Sequence, residues 1–180
     1  MPAKPNVVLV HGAFVDASSW SQVIQRLQAA GHPVSAVQLD LASLAGDIAT
    51  TRAVLAHQHG PTVLVGHSWG GMVISGAAVG APHVISLVYV AAFAPDEGET
   101  LPETGAGFPA APGLAHLVPD YRKDFLRVDP AAYPQFFMQD VNPVEARVLA
   151  VTQRPLAAAA FVVKAGKPVT YSGRDRTVIR

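Results

Sequence analysis

The decad Thr62-Val63-Leu64-Val65-Gly66-His67-Ser68-Trp69-Gly70-Gly71 constrains this chain more than any other segment. Four strand-forming residues run into a serine with a glycine two places away on either side, and the small residues Gly76, Ala77, Ala78 and Gly80 follow. That pattern reads as strand, sharp turn, helix. A serine on such a turn is held in strained backbone, and the residues two places away must be tiny because strand and helix approach closely there. The turn lifts the hydroxyl clear of the sheet and sets it at the positive end of the helix, where an anion forming beside it is stabilised. Ser68 is therefore the candidate nucleophile. A phosphate-binding reading fails, since no Gly-Lys-Ser/Thr follows and His11-Gly12-Ala13-Phe14 lacks the glycine spacing of a dinucleotide site.

The flanking sequence repeats the same unit. Asn6 to Val10 is a short apolar run, and Trp20, Val23, Ile24 and Leu27 follow at helical spacing, with Ser19 and Gln22 as a capping box and Gly31 as the stop. A second strand is expected around Val34 to Leu41, a helix through Leu44, Ile48 and Leu55, a third strand over Thr62 to Val65, a helix from Gly70 to Gly80, and a fourth strand from Val84 to Ala91. Strands such as Val7-Val8-Leu9-Val10 and Leu87-Val88-Tyr89-Val90 are apolar on both faces, which suits a mostly parallel sheet covered on both sides. The fold class is α/β, a three-layer α/β/α sandwich.

Past Phe93 the prolines and glycines crowd together, from Pro95 to Pro119, and preclude long regular elements. A lid inserted at approximately 96–141 is expected within a single domain spanning 1–180. Helix returns near Ala131 to Gln139 and again at Asn142, where Pro143 fits the first helical position and the helix should end near Gln153. Lys167 to Ser172 reads as one more strand, and Gly173 to Arg176 as a turn.

Composition narrows the chemistry. Half of the residues are hydrophobic and 14% are charged, so a large buried core is expected. Thirteen basic residues balance thirteen acidic ones with no basic run, which excludes nucleic acid and anionic lipid as natural partners. There is no cysteine, which removes thiolate catalysis, disulfides and thiolate metal sites. No metal and no cofactor are implied. The amino terminus carries no signal-like segment and no stretch long enough to span a bilayer, so a cytoplasmic location is expected.

An acyl-transfer site needs two donors for its oxyanion, commonly the amide after the nucleophile and one from the loop after an earlier strand. Trp69 supplies the first and Ala13 the second. Gly12 lets the backbone come close, Phe14 lines the pocket, and the His11-Gly12 turn borders the substrate. Within it His11 reads as a buried histidine bonded to backbone, as does His67.

These residues resemble a known family. Val8-Leu9-Val10-His11-Gly12-Ala13, Ser19-Trp20, Gly66-His67-Ser68-Trp69-Gly70-Gly71 and Val90-Ala91-Ala92-Phe93-Ala94-Pro95-Asp96 are similar to the small α/β-hydrolases of the kind that includes plant methyl-ester esterases and hydroxynitrile lyases. The resemblance implies a cap over an acyl pocket and a triad acid at Asp175, in Gly173-Arg174-Asp175-Arg176, with Asp96 as the fallback acid. It also implies a further strand, a loop carrying the triad histidine and a closing helix, whereas the chain ends at Arg180. The last strand and helix are thus expected to be missing, leaving Ser68 without its base, the chain weak or inactive, and a sheet edge open to pairing as a homodimer. His116 is the one histidine considered as a substitute. The function implied is hydrolysis of small carboxylic esters through an acyl-enzyme on Ser68. The alternatives are a hydroxynitrile-lyase-like reaction, or a catalytically dead ligand-binding or interaction domain.

Overall fold

A computed structural model describes residues 4–168 and 175–179. Strands β1 (Asn6–Val10), β2 (Val34–Val37), β3 (Thr62–His67) and β4 (Val84–Val90) are all parallel and lie side by side in the order β2-β1-β3-β4. Helices α1 (Ser21–Ala29), α2 (Leu44–Ala56) and α3 (Trp69–Ala77) make the crossovers. Because side chains alternate along a strand, Val7, Leu9 and Val65 face one way, packed with Trp20 and with Ile24 and Leu27 of α1. Val8, Val10, Leu64, Leu87 and Tyr89 face the other way, against Leu44 and Leu55 of α2 and Met72, Val73, Ile74 and Ala77 of α3. Helix α3 is buried almost all round, as its run of apolar and small residues requires. The three layers are those expected from the apolar strands.

The chain leaves β1 for β2 on one side and then returns to place β3 on the other. Crossovers of opposite direction part at the carboxyl ends of β1 and β3, and the crevice they leave is where open parallel sheets hold their ligands.

Several boundaries differ from expectation. The first helix opens with a 3-10 turn, Ala17–Trp20, capped by Asp16 accepting the Ser18 amide at 2.7 Å, and no side chain caps α1 at Trp20. The Ser19–Gln22 capping box is therefore not formed, because a cap of three residues earlier takes its place. Strand β2 stops at Val37, short of Leu41.

Beyond β4 the proline-rich stretch carries only short elements: α4 (Leu101–Thr104), a 3-10 turn Pro112–His116, β5 (Leu117–Pro119), β6 (Phe125–Val128) and α5 (Tyr133–Phe136). The helical signal over Ala131 to Gln139 shrinks to the single turn of α5. Helix α6 (Pro143–Thr152) begins as predicted, with Asn142 accepting the Val144 amide at 2.9 Å. What composition did not disclose is a second sheet, β5-β6-β7, antiparallel, whose strand β7 (Leu156–Ala157) lies past residue 141. Strands of two to four residues leave almost no local signature.

Strand β8 (Asp175–Ile179) adds to β4 in parallel and completes the five-stranded sheet. Of the strand expected over Lys167 to Ser172, Lys167 and Pro168 are irregular and the rest lies outside the described residues; Asp175 and Arg176, expected in a turn, are in β8. Among the described residues no helix is long and apolar enough to cross a membrane.

Candidate active site

Ser68 follows the last residue of β3 with φ 52° and ψ −119°, a conformation that costs a non-glycine residue on the order of 1–3 kcal/mol. The turn is held by the Ser68 carbonyl, which accepts the amides of Gly71 at 3.0 Å and Phe93 at 3.2 Å. Close approach explains its glycines. A Cβ on Gly66 would sit 2.6 Å from the Gly70 carbonyl oxygen, and one on Gly70 would sit 2.5 Å from that of Val10. The nine-residue helix α3 begins at Trp69, so its positive end lies beside the serine. Ser68 is half-buried, and its hydroxyl has no hydrogen-bond partner among the described residues.

The turn after β1 comes up against this serine. A Cβ on Gly12 would lie 2.8 Å from Ser68 Cβ and 3.0 Å from His67 Nδ1, so only glycine fits between the two loops. Phe14 completes the turn at φ 63°, and its carbonyl accepts the hydroxyl of Tyr133 at 2.8 Å. Ala13 and Trp69 are both buried, and among the described residues neither amide has an acceptor in the protein. Amides without a partner in buried residues are uncommon, which marks this pair out.

The sequence pattern of the alpha/beta hydrolase family matches residues 7–178. The chain belongs to that family. It is 39% identical over 109 residues to the carbendazim hydrolyzing esterase of Nocardioides sp. (strain SG-4G), covering 53% of this chain and 45% of the relative. To methylesterase 1 of Arabidopsis thaliana it is 31% identical over 168 residues, covering 79% of this chain and 62% of the relative. The chain thus spans about half the length of the curated relatives it matches. Among solved structures, a methylesterase protein MES16 from Arabidopsis superposes with TM-score 0.77 at 19% identity, over 97% of this chain and 77% of that one. A pyrethroid hydrolase from Sphingobium faniae JZ-2 superposes with TM-score 0.73 at 24% identity, over 92% and 73%. At these identities the likeness is one of fold.

Against the alpha/beta hydrolase pattern, the remaining expected site residues fall into place unevenly. His11 is fully buried; its Nε2 accepts the Leu39 amide at 3.0 Å, which leaves Nδ1 to donate to the Gly12 carbonyl at 2.8 Å. Burial holds its pKa below the ordinary value, so the ring is neutral. With both nitrogens bonded to backbone, His11 supports the turn. His67 packs edge-on to Trp20 at 6.2 Å between ring centres, and burial lowers its pKa too. His116 stacks on Phe136, with ring centres 4.2 Å apart. Asp96 is exposed, and opens the cap with its amide on the Glu99 carboxylate at 2.8 Å.

Asp175 is not brought to Ser68. It is level with Ser86 at the amino end of β4, whereas the residue preceding Ser68 is level with Val90 at the carboxyl end. Four residues of strand separate the two levels, roughly 13 Å. The acid expected after a strand instead begins one. Among the described residues no three side chains of metal-ligating type gather at one point.

Two residues at the site carried no sequence signal as site residues. Asp47, fully buried in the first turn of α2, accepts the indole N–H of Trp69 at 2.8 Å and the Leu41 amide at 3.1 Å. An aspartate four residues after Ser43 reads as an ordinary partner of a helix dipole. Tyr133 lies 119 residues from the carbonyl it bonds. Its phenol is pushed above the usual range by burial, and it remains a donor at any working pH.

Proposed function

We propose that this chain carries the nucleophile and oxyanion site of a carboxylic-ester hydrolase. The observation that carries the reading is the strained turn at Ser68, pressed against Gly12 at the carboxyl ends of β1 and β3 with two unpaired buried amides beside it. Ser68 Oγ attacks the ester carbonyl carbon, the carbonyl oxygen becomes the anion received by the Ala13 and Trp69 amides, and the bond to the alcohol oxygen breaks, the serine's proton leaving with the alcohol and an acyl-serine remaining. Water then releases the acid. The short elements between 96 and 141 form a cap, and Phe14, whose ring meets Phe137 of the cap edge-on at 5.9 Å, lines the acyl side. The relatives that are named esterases support a small ester as substrate.

The Ser68 hydroxyl has no base bonded to it among the described residues, so both proton transfers are slow. Binding and the oxyanion pair alone sustain an acceleration on the order of 10³ to 10⁴ over water. With p-nitrophenyl acetate, whose leaving group departs without a proton, the expected result is about one equivalent of p-nitrophenol per chain followed by slow turnover, with the acetyl group on Ser68 by mass spectrometry. Ser68→Ala removes the burst. A burst that survives Ser68→Ala, or an acetyl group found elsewhere, overturns the reading.

A further inference from the structure

Asp47 is an odd residue to find where it lies. Its carboxylate is fully buried in the first turn of α2, and no cation pairs with it among the described residues. Burying an unpaired carboxylate is costly, and burial pushes its pKa up, so the donors around it must do enough to keep it there. Those donors come from two directions. One oxygen takes the Leu41 amide and the other takes the indole of Trp69. Leu41 itself sits at φ 57°, and its carbonyl accepts the amide of Ala157 in β7 at 2.9 Å. A continuous path of polar contacts therefore runs from the small cap sheet through Leu41 and Asp47 to the side chain of Trp69, whose backbone amide directly follows the serine.

We propose that Asp47 is a positioning residue for the nucleophile turn: by holding the Trp69 indole it fixes the Ser68–Trp69 peptide plane, and with it the direction of the amide that receives the oxyanion. The proposal deepens the hydrolase reading and rests on it for its meaning in catalysis. The residue type fits the task. A carboxylate only accepts, so it can meet two converging N–H donors at once, whereas an asparagine must turn its own NH2 toward one of them. Aspartate at 47 is thus required by the geometry, and a neutral isostere breaks one of the two bonds.

The test uses a chain in which Ser68→Cys supplies the sole thiol, since the protein has no cysteine. Iodoacetamide alkylation needs no enzymic base, so this readout stands even if the native serine fails to acylate. The limiting rate at high pH is measured in the Ser68→Cys background alone and with Asp47→Asn, Trp69→Phe, and both. Asp47→Asn is expected to change the limiting rate about threefold or more, equivalent to roughly 0.7 kcal/mol, and to change it less than about 1.5-fold once Trp69→Phe has removed the indole donor. The loss of a charge shifts the thiol pKa, and with it the nucleophilicity of the thiolate, alike in both backgrounds, so it cancels when the two changes are compared. An unchanged rate, or an equal change in both backgrounds, overturns the proposal and leaves Asp47 as a stabiliser of the fold. If Asp47→Asn does not fold by circular dichroism, Trp69→Phe alone decides: it breaks the same bond, and a rate within about 1.5-fold of its parent overturns the proposal.

Discussion

Two turns close the crevice, and they are held in opposite ways. The turn after β3 is shaped by close backbone approach: Gly66 lets strand and helix meet, Gly70 lets that helix meet β1, and Ser68 sits at φ 52° among them. The turn after β1 has a similarly unusual residue, Phe14 at φ 63°, yet its support comes from far off, from Tyr133 in the cap and from His11 bridging to Leu39. Close backbone contact thus dominates the β3 turn, with the Asp47 bond to the Trp69 indole added to it, whereas the β1 turn is held by side-chain bonds to distant residues. The β3 turn should therefore be brittle toward any added atom, and the β1 turn toward any lost bond.

The largest effect is expected at the brittle turn. In Gly70→Ala the new methyl meets the carbonyl oxygens of Val10 at 2.5 Å and of His11 at 2.9 Å, both backbone atoms of β1 and its turn that cannot swing away. The expected cost is roughly 3 kcal/mol or more, at the upper end of overpacking, and shows as a large drop in the urea midpoint or loss of soluble chain. Gly80→Ala is the matching control, because nothing lies near a Cβ there although its φ is 78°. Equal losses in the two variants would mean that backbone angle, and not the meeting of strand and helix, sets the β3 turn.

At the other turn, Tyr133→Phe deletes one oxygen and keeps the ring that packs on Phe137 at 4.9 Å between centres. The Phe14 carbonyl is left buried without its donor, for an expected loss of about 1–3 kcal/mol. Because that carbonyl belongs to the turn carrying Ala13, the acylation burst should slow as well. A variant that loses stability while acylating Ser68 at the native rate would separate the cap's structural hold from any hold on the oxyanion donor.

The same contrast explains what could be read in the sequence. Strands β1, β3 and β4, the start of α6 at Asn142 and Pro143, and the serine turn are all written in stretches of a few residues, where apolar runs, small residues and side-chain acceptors act on near neighbours. The β6–β7 pairing of the small sheet, the bond from Tyr133 to Phe14, and the Asp47–Trp69 pair join residues 22 or more apart, and nothing in their local sequence marks the partner. Asp175 failed for a related reason: a motif gives residue types, whereas the level at which a strand docks on its neighbour decides which end of the sheet a residue reaches.

The smallest effect separates the two histidines that back the two turns. Both rings have pKa values held below the ordinary 6.5 by burial, so the folded chain binds fewer protons than the unfolded one as pH falls through that value. Stability contributed by the neutral rings is therefore full above about pH 6.5 and declines below it, until the folded pKa is reached. The decline should come mainly from His11. Protonating it removes the acceptor for the Leu39 amide as well as burying a charge, whereas His67 gives up only its solvation. Asp47, with a carboxyl raised by burial, contributes with the opposite sign and blunts the slope from below. Urea midpoints at pH 7.5, 6.5 and 5.5 should fall more gently in His11→Gln than in the native chain, and nearly as steeply as native in His67→Gln. Were His67→Gln the variant that flattens the profile, the ring beside the serine would be the one that burial constrains more, and the β3 turn would depend on tertiary support as much as the turn after β1.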